Sequence, residues 1–321
     1  MLLAKALRLP LAAAALGVLL AACGPTSTPG AGVGRGGQPS GDLQVVTTFL
    51  PITLFTRAVA GDCAEVSSLI PPGTGPHDFQ SRPGDLVALR QARVLVQNAL
   101  ELETFLDKLV PSAENADLLV LDSSRGVATI ESDGHDDDHG HDHAHAHGPV
   151  NPHIWLDPQR AVRQVENIRD GLVAADPSCA EGYRRNAEAY IAELRQLDAT
   201  LASQLEPFAG KTFVAFHDVA PYFAQRYGLV AAFVVDVPEI NPTPADLRRV
   251  SELVERTDLR ALLSDPQQGN RSFNALARDL GVRISVFDPL ETGSEEDARD
   301  PSTYLRVMRS NVEELRRAFA G

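Results

Sequence analysis

From Cys179 to Leu205 the chain runs without proline, and Tyr183, Ala187, Tyr190, Ile191, Leu194, Leu197, Leu201 and Leu205 fall on one stripe at three- and four-residue spacing. A helix of that length spans about 40 Å, long for a core element and suited to a strut between two lobes. On both sides of it, β-branched apolar runs alternate with helical patterns. Before it come strands over Leu43–Phe49, Glu65–Ile70, Val94–Gln97 and Leu118–Leu121. The helices between and after them are Ile52–Ala60, one capped by Ser81 with Pro83 and Asp85 in its first turn, Glu101–Val110 and Pro158–Ala175. After the strut, strands over Thr212–Phe216, Leu229–Val235, Leu259–Leu263 and Val282–Phe287 alternate with helices over Val219–Tyr227, Pro244–Arg256 (capped by Thr243), Asn270–Leu280 and Ser302–Phe319. This rhythm predicts an α/β protein of two lobes, each a mostly parallel sheet flanked by helices, joined by one long rigid helix.

The first 22 residues stand apart. Lys5 and Arg8 precede an apolar run, Leu9 to Leu20, and Leu20-Ala21-Ala22-Cys23 closes it. This is the pattern of a secretory signal peptide. It resembles a bacterial lipobox with Cys23 as the lipid anchor. The run is shorter than the roughly 18 to 20 residues a bilayer span requires. Residues 23–42, rich in Gly, Pro, Ser and Thr, then form a flexible tether. The expected organisation is a signal peptide (1–22), anchor and tether (23–42), an N-terminal lobe (43–178), the linking helix (179–206) and a C-terminal lobe (207–321). The protein is expected on the periplasmic or extracellular side of the cytoplasmic membrane, lipid-anchored. With Cys23 lipidated, Cys63 and Cys179 remain, and an oxidising compartment favours their pairing. The formal charge of −14, more acidic still without Lys5 and Arg8, argues against nucleic acid as a partner.

Residues 122–150 break the rhythm. Within this loop His135, His139, His141, His143, His145 and His147 crowd among aspartates, six of the chain's nine histidines. So polar a segment has no core to build and offers imidazoles to a transition metal at weak affinity. The other three histidines sit in ordered-looking sequence. His217 directly follows a strand, His77 lies past a strand and its Pro/Gly turn, and His153 stands between the histidine loop and a helix. Asp288 also follows a strand directly. Ligands of open α/β sheets bind outside the carboxyl ends of strands. A cleft between the lobes therefore offers His77 and His153 from one side and His217 and Asp288 from the other. Three imidazoles and a carboxylate suit tetrahedral zinc, whereas manganese and magnesium favour more oxygen. Taken singly, each of these residues has a bland reading as a surface, core or turn residue; only their joint placement points to a metal site.

Pro71-Pro72-Gly73-Thr74-Gly75-Pro76-His77-Asp78-Phe79, Asn151-Pro152-His153-Ile154-Trp155-Leu156-Asp157-Pro158, Phe216-His217-Asp218 with Pro221-Tyr222-Phe223, and Phe287-Asp288-Pro289-Leu290 resemble, in order and spacing, the four signature segments of the ZnuA/TroA-like (cluster A-I) zinc-binding proteins of ABC importers. The resemblance covers Leu43 to Phe319 and includes the histidine-rich insertion. It implies two α/β lobes on a rigid helix, with His77, His153 and His217 as principal ligands. Asp288 occupies a carboxylate position where direct coordination varies. Histidine at position 217, where manganese and iron relatives carry an acid, implies zinc as the transported ligand. A membrane permease is the implied partner, and the chain is expected to be a monomer without catalytic residues. One departure is Asp265, in Leu263-Ser264-Asp265-Pro266-Gln267, where the family pattern leads one to expect glutamate; it bears on a hydrogen bond behind the metal. Uptake of Mn²⁺ or Fe²⁺ on the same fold, a metal store or surface adhesin, and a secreted zinc hydrolase are the rivals. The last requires a general base, for which Asp78, Asp218 or Asp265 would have to serve.

Overall fold

The computed structural model describes residues 43–77, 79–132, 148–238, 241–257, 259, 261–266 and 271–320. The signal segment, Cys23, the tether, Asp78 and the six crowded histidines lie outside the described residues. Asp157, Thr243 and the proline after each show how local sequence starts helices here: Asp157 accepts a hydrogen bond from Gln159 N, and Thr243 exchanges bonds with Asp246.

In the N-terminal half the elements run β1 (Leu43–Thr47), α1 (Leu50–Ala60), β2 (Ala64–Ser68), α2 (Pro83–Gln91), β3 (Val94–Gln97), α3 (Leu106–Ser112), β4 (Leu119–Asp122) and α4 (Pro158–Ala175). The long helix α5 (Ala180–Leu205) follows. The second half comprises β5 (Thr212–His217), α6 (Pro221–Tyr227), β6 (Val230–Val235), α7 (Pro244–Thr257), β7 (Ala261–Ser264), α8 (Arg271–Asp279), β8 (Arg283–Val286) and α9 (Ser302–Ala320). Each half forms a four-stranded sheet with every pairing parallel, ordered β2-β1-β3-β4 and β6-β5-β7-β8. The same order in both halves places a crevice between the first and third strands of each sheet, at their carboxyl ends.

The eight stripe residues of α5 are all buried. They belong to one apolar core that runs through both halves, taking in Val45, Phe55 and Trp155 on one side and Phe213, Phe223, Tyr304 and Met308 on the other. Phe55 meets Tyr304 edge-to-face at 5.0 Å, and the Tyr304 hydroxyl donates to Trp155 O at 2.7 Å. Separate clusters fill the far faces, under α2 and α3 in the first half and under α7 and α8 in the second. A shared core opposes wide swinging of the lobes, because opening it would expose apolar surface at about 25 cal/mol per Å².

Cys63 and Cys179 are disulfide-bonded, tying the segment before β2 to the start of α5. A Cβ on Gly182 would lie 2.7 Å from Cys63 Sγ, so the helix passes over the bridge because that position is glycine.

Two local expectations fail. Arg82, not Ser81, is the residue before α2, its N–H donating to Asp85 Oδ2 at 2.6 Å. The helix expected from Glu101 begins at Leu106. Ala99, Leu100 and Glu101 instead turn left-handed, at φ 68°, 57° and 62°. The turn is held by Glu103, whose carboxylate accepts from Asn98 N, Ala99 N and Thr48 Oγ1 at 2.7–2.9 Å. Thus the crevice of the first sheet is filled by the chain's own carboxylate, and burial raises the Glu103 pKa to about 7.

Candidate metal centre

His217 is the last residue of β5. Its imidazole is fully buried, and its Nδ1 lies 3.0 Å from Asp265 Oδ2, at the end of β7. The two residues straddle the crevice of the second sheet. His153 reaches the same place from the first half. It ends the segment leading into α4, just before the single 3-10 turn Ile154–Leu156. Asn151 Oδ1 accepts from His153 N at 3.0 Å and lies 2.9 Å from Nδ1. His77 comes from the loop after β2, which is pinned across the cleft by Gly293 N donating to Pro72 O at 2.6 Å.

The structure brings these three imidazoles together with Glu291. Glu291 Oε1 lies 3.0 Å from His77 Nε2, 3.1 Å from His153 Nε2 and 3.5 Å from His217 Nε2. One ligand atom from each of the four falls within 4.8 Å of the others. For metal–ligand bonds of about 2.0–2.1 Å, the edge of a tetrahedron is about 3.3 Å. The carboxylate-to-imidazole distances already match that edge. The chemistry of the donor set, neutral nitrogens with one hard oxygen, fits a borderline divalent ion.

Asp288, expected from the sequence as the fourth donor, lies outside this group. Its Oδ1 accepts from Leu290 N at 2.8 Å, so the carboxylate is turned onto its own loop. Glu291, three residues on, takes the place in the cluster. Asp218 is engaged by Asn151 Nδ2, at 2.8 Å to its carbonyl and 3.0 Å to its carboxylate.

The electrostatics follow from burial among like and unlike charges. Burial pulls the His153 imidazole down to about 4, against the pull of Glu291. His217 feels the same burial, but the carboxylates of Asp265 and Glu291 outweigh it and hold it well above its usual value. Burial works against the Glu291 carboxylate, yet His77 and His217 hold it well below the usual range. Asp288 is raised by burial, to about 6.

Two parallel α/β halves on a long helix, with three imidazoles and a carboxylate converging between them, define a bilobal binding protein with a closed, nitrogen-rich metal centre. A family model described as "ZnuA: Zinc-uptake complex component A periplasmic" matches residues 45–318, and the chain belongs to this family. It is 32% identical over 281 residues to the zinc-binding lipoprotein AdcA of Streptococcus pneumoniae strain R6, an alignment covering 87% of this chain and 56% of that protein. The chain thus spans little more than half of that relative. It is 30% identical over 307 residues to the high-affinity zinc uptake system protein ZnuA of Bacillus subtilis, covering 94% of each. The crystal structure of the Zn(II)-bound ZnuA-like domain of Streptococcus pneumoniae AdcA superposes with a TM-score of 0.72 at 31% identity, covering 87% of this chain and 99% of that one.

Proposed function

We propose that the protein captures Zn²⁺ outside the cytoplasm and delivers it to the permease of an ABC importer, with His77, His153, His217 and Glu291 as the ligands. The observation that carries this reading is the convergence of three Nε2 atoms on one Glu291 oxygen from both halves of the molecule. Zinc would bind as a closed four-donor shell, leaving no position for an activated water, which favours carriage over hydrolysis. Asp218 and Asp265 are engaged by Asn151 and His217, which disfavours either as a free general base. Zinc-binding and zinc-uptake relatives support the same reading.

Lipidation at Cys23 would hold the protein at the membrane, and a monomer suffices because both halves of the site belong to one chain. The described residues contain no helix long and apolar enough to cross a membrane. The histidine tract, His135 to His147, would act as a weak zinc collector through its many imidazoles. Titration of the purified protein with Zn²⁺, Mn²⁺ and Fe²⁺, with His217→Ala as control, tests the reading. Zinc should raise the melting temperature most, and the variant should abolish the effect. Stronger stabilisation by Mn²⁺ at equal concentration would overturn it.

A further inference from the structure

Glu291 sits on the irregular segment between β8 and α9, where no ladder or helix fixes its direction. What fixes it is the turn immediately before it. Leu290 is left-handed, at φ 63°, a conformation disfavoured for a side chain with a Cβ. The turn is held at both ends. Asp288 Oδ1 accepts from Leu290 N at 2.8 Å. Asn311, buried on α9, brackets Asp288: its Oδ1 accepts from Asp288 N, and its Nδ2 donates to Asp288 O, both at 2.8 Å. The Leu290 side chain is 1% exposed and anchors the turn in the shared core. The next residue then projects its carboxylate onto three imidazoles.

We propose that Asp288 is a positioning residue for Glu291: by accepting from Leu290 N–H it holds the left-handed turn that aims the Glu291 carboxylate at the metal centre, and it does not itself coordinate. Asn311 fixes the frame from which Asp288 acts. The inference rests on the zinc reading above and adds a role for a carboxylate that lies against the site without entering it.

The test is a double-mutant cycle read as zinc affinity by competition with a chelator, with apo melting temperatures recorded to confirm folding. Asp288→Asn keeps the accepting oxygen and loses the charge; its affinity should stay within about threefold of wild type. Asp288→Ala removes the acceptor and should weaken zinc by about tenfold, the scale on which an L-residue resists this conformation. In a Glu291→Ala background there is no carboxylate left to aim, so Asp288→Ala should there cost less than about threefold. Glu291→Gln should weaken zinc more than either Asp288 substitution alone. The proposal is overturned if Asp288→Asn is as weak as Glu291→Gln, which would mark direct coordination through charge. It is equally overturned if Asp288→Ala costs the same in both backgrounds, or nothing in either. A wild-type protein that takes up no zinc would bring down the functional reading itself, an outcome distinct from any pattern among the variants.

Discussion

Asn151 Oδ1 lies 2.9 Å from His153 Nδ1, while the same amide's Nδ2 donates to the carbonyl and carboxylate of Asp218, next to His217. The donation to two oxygens fixes which way the amide faces. The oxygen left toward His153 only accepts, so Nδ1 is the nitrogen that donates to it, and Nε2, facing Glu291 at 3.1 Å, is the one available to a metal ion. One side chain therefore orients the His153 imidazole and links the two halves of the cluster.

Asn151→Ala should weaken zinc binding about 10- to 100-fold, the usual cost of losing a partner that orients a metal-bound histidine. Chelator competition measures it. Unchanged affinity would mean that packing alone orients the His153 ring.

Zinc uptake should release a proton near neutral pH. Asp265 and Glu291 hold His217 well above its usual pKa despite burial, which favours the protonated imidazole in the metal-free protein, and zinc binding at Nε2 competes with that proton. Affinity should therefore rise with pH until the raised His217 value is passed. The linkage for stability has the matching sign. A folded pKa above the unfolded one stabilises the metal-free protein below about pH 6.5, and that contribution is lost as pH climbs through the folded value. Binding enthalpies measured in buffers of different ionisation heat count the protons. Asp265→Asn should lower the count at pH 7.

The disulfide should matter to stability and not to zinc. Its two cysteines are 116 residues apart in sequence, for which loop-closure entropy predicts about 4–5 kcal/mol. Cys63 precedes β2, at the end of that strand remote from the His77 loop. The Cys63→Ser, Cys179→Ser double variant should melt lower yet keep its zinc affinity within about threefold. A large loss of affinity would show that the long helix transmits strain to the cleft.

Replacing residues 133–147 by a short Gly-Ser linker should leave one tight zinc site and remove weak ones. The root of that segment is closed independently, by the Glu131–Val150 bridge, by Ser132 Oγ donating to Gly148 O, and by Tyr222, which accepts from Ile130 N and donates to Asn151 O. Equilibrium dialysis gives the stoichiometry. Loss of the tight site would refute the ligand assignment.

The sequence carried most of the architecture because periodic burial and helix starts are local properties. Helix α4 has its expected ends because Asp157 and Pro158 start it and Asp176-Pro177 stops it. The convergence of the three histidines is legible because strand ends predict where an α/β crevice lies. Glu291, the carboxylate that joins the cluster, is not legible in this way, because it belongs to no periodic element and the strand-end rule points to Asp288. An acid three residues beyond Asp288, in a loop bound for the same cleft, was the available signal. The left-handed run Ala99 to Glu101 left no trace either, since nothing in Ala-Leu-Glu favours that conformation; it is imposed by a buried carboxylate, a tertiary cause.

Anomalous diffraction at the zinc edge from crystals grown with one equivalent of Zn²⁺ would locate the ion among these side chains. One strong peak is expected in the cleft, about 2.0–2.2 Å from Nε2 of His77, His153 and His217 and from a Glu291 oxygen, with the Asp288 carboxylate still hydrogen-bonded to Leu290 N. A peak coordinated by Asp288 in place of Glu291, or lying away from the three imidazoles, would contradict that ligand set.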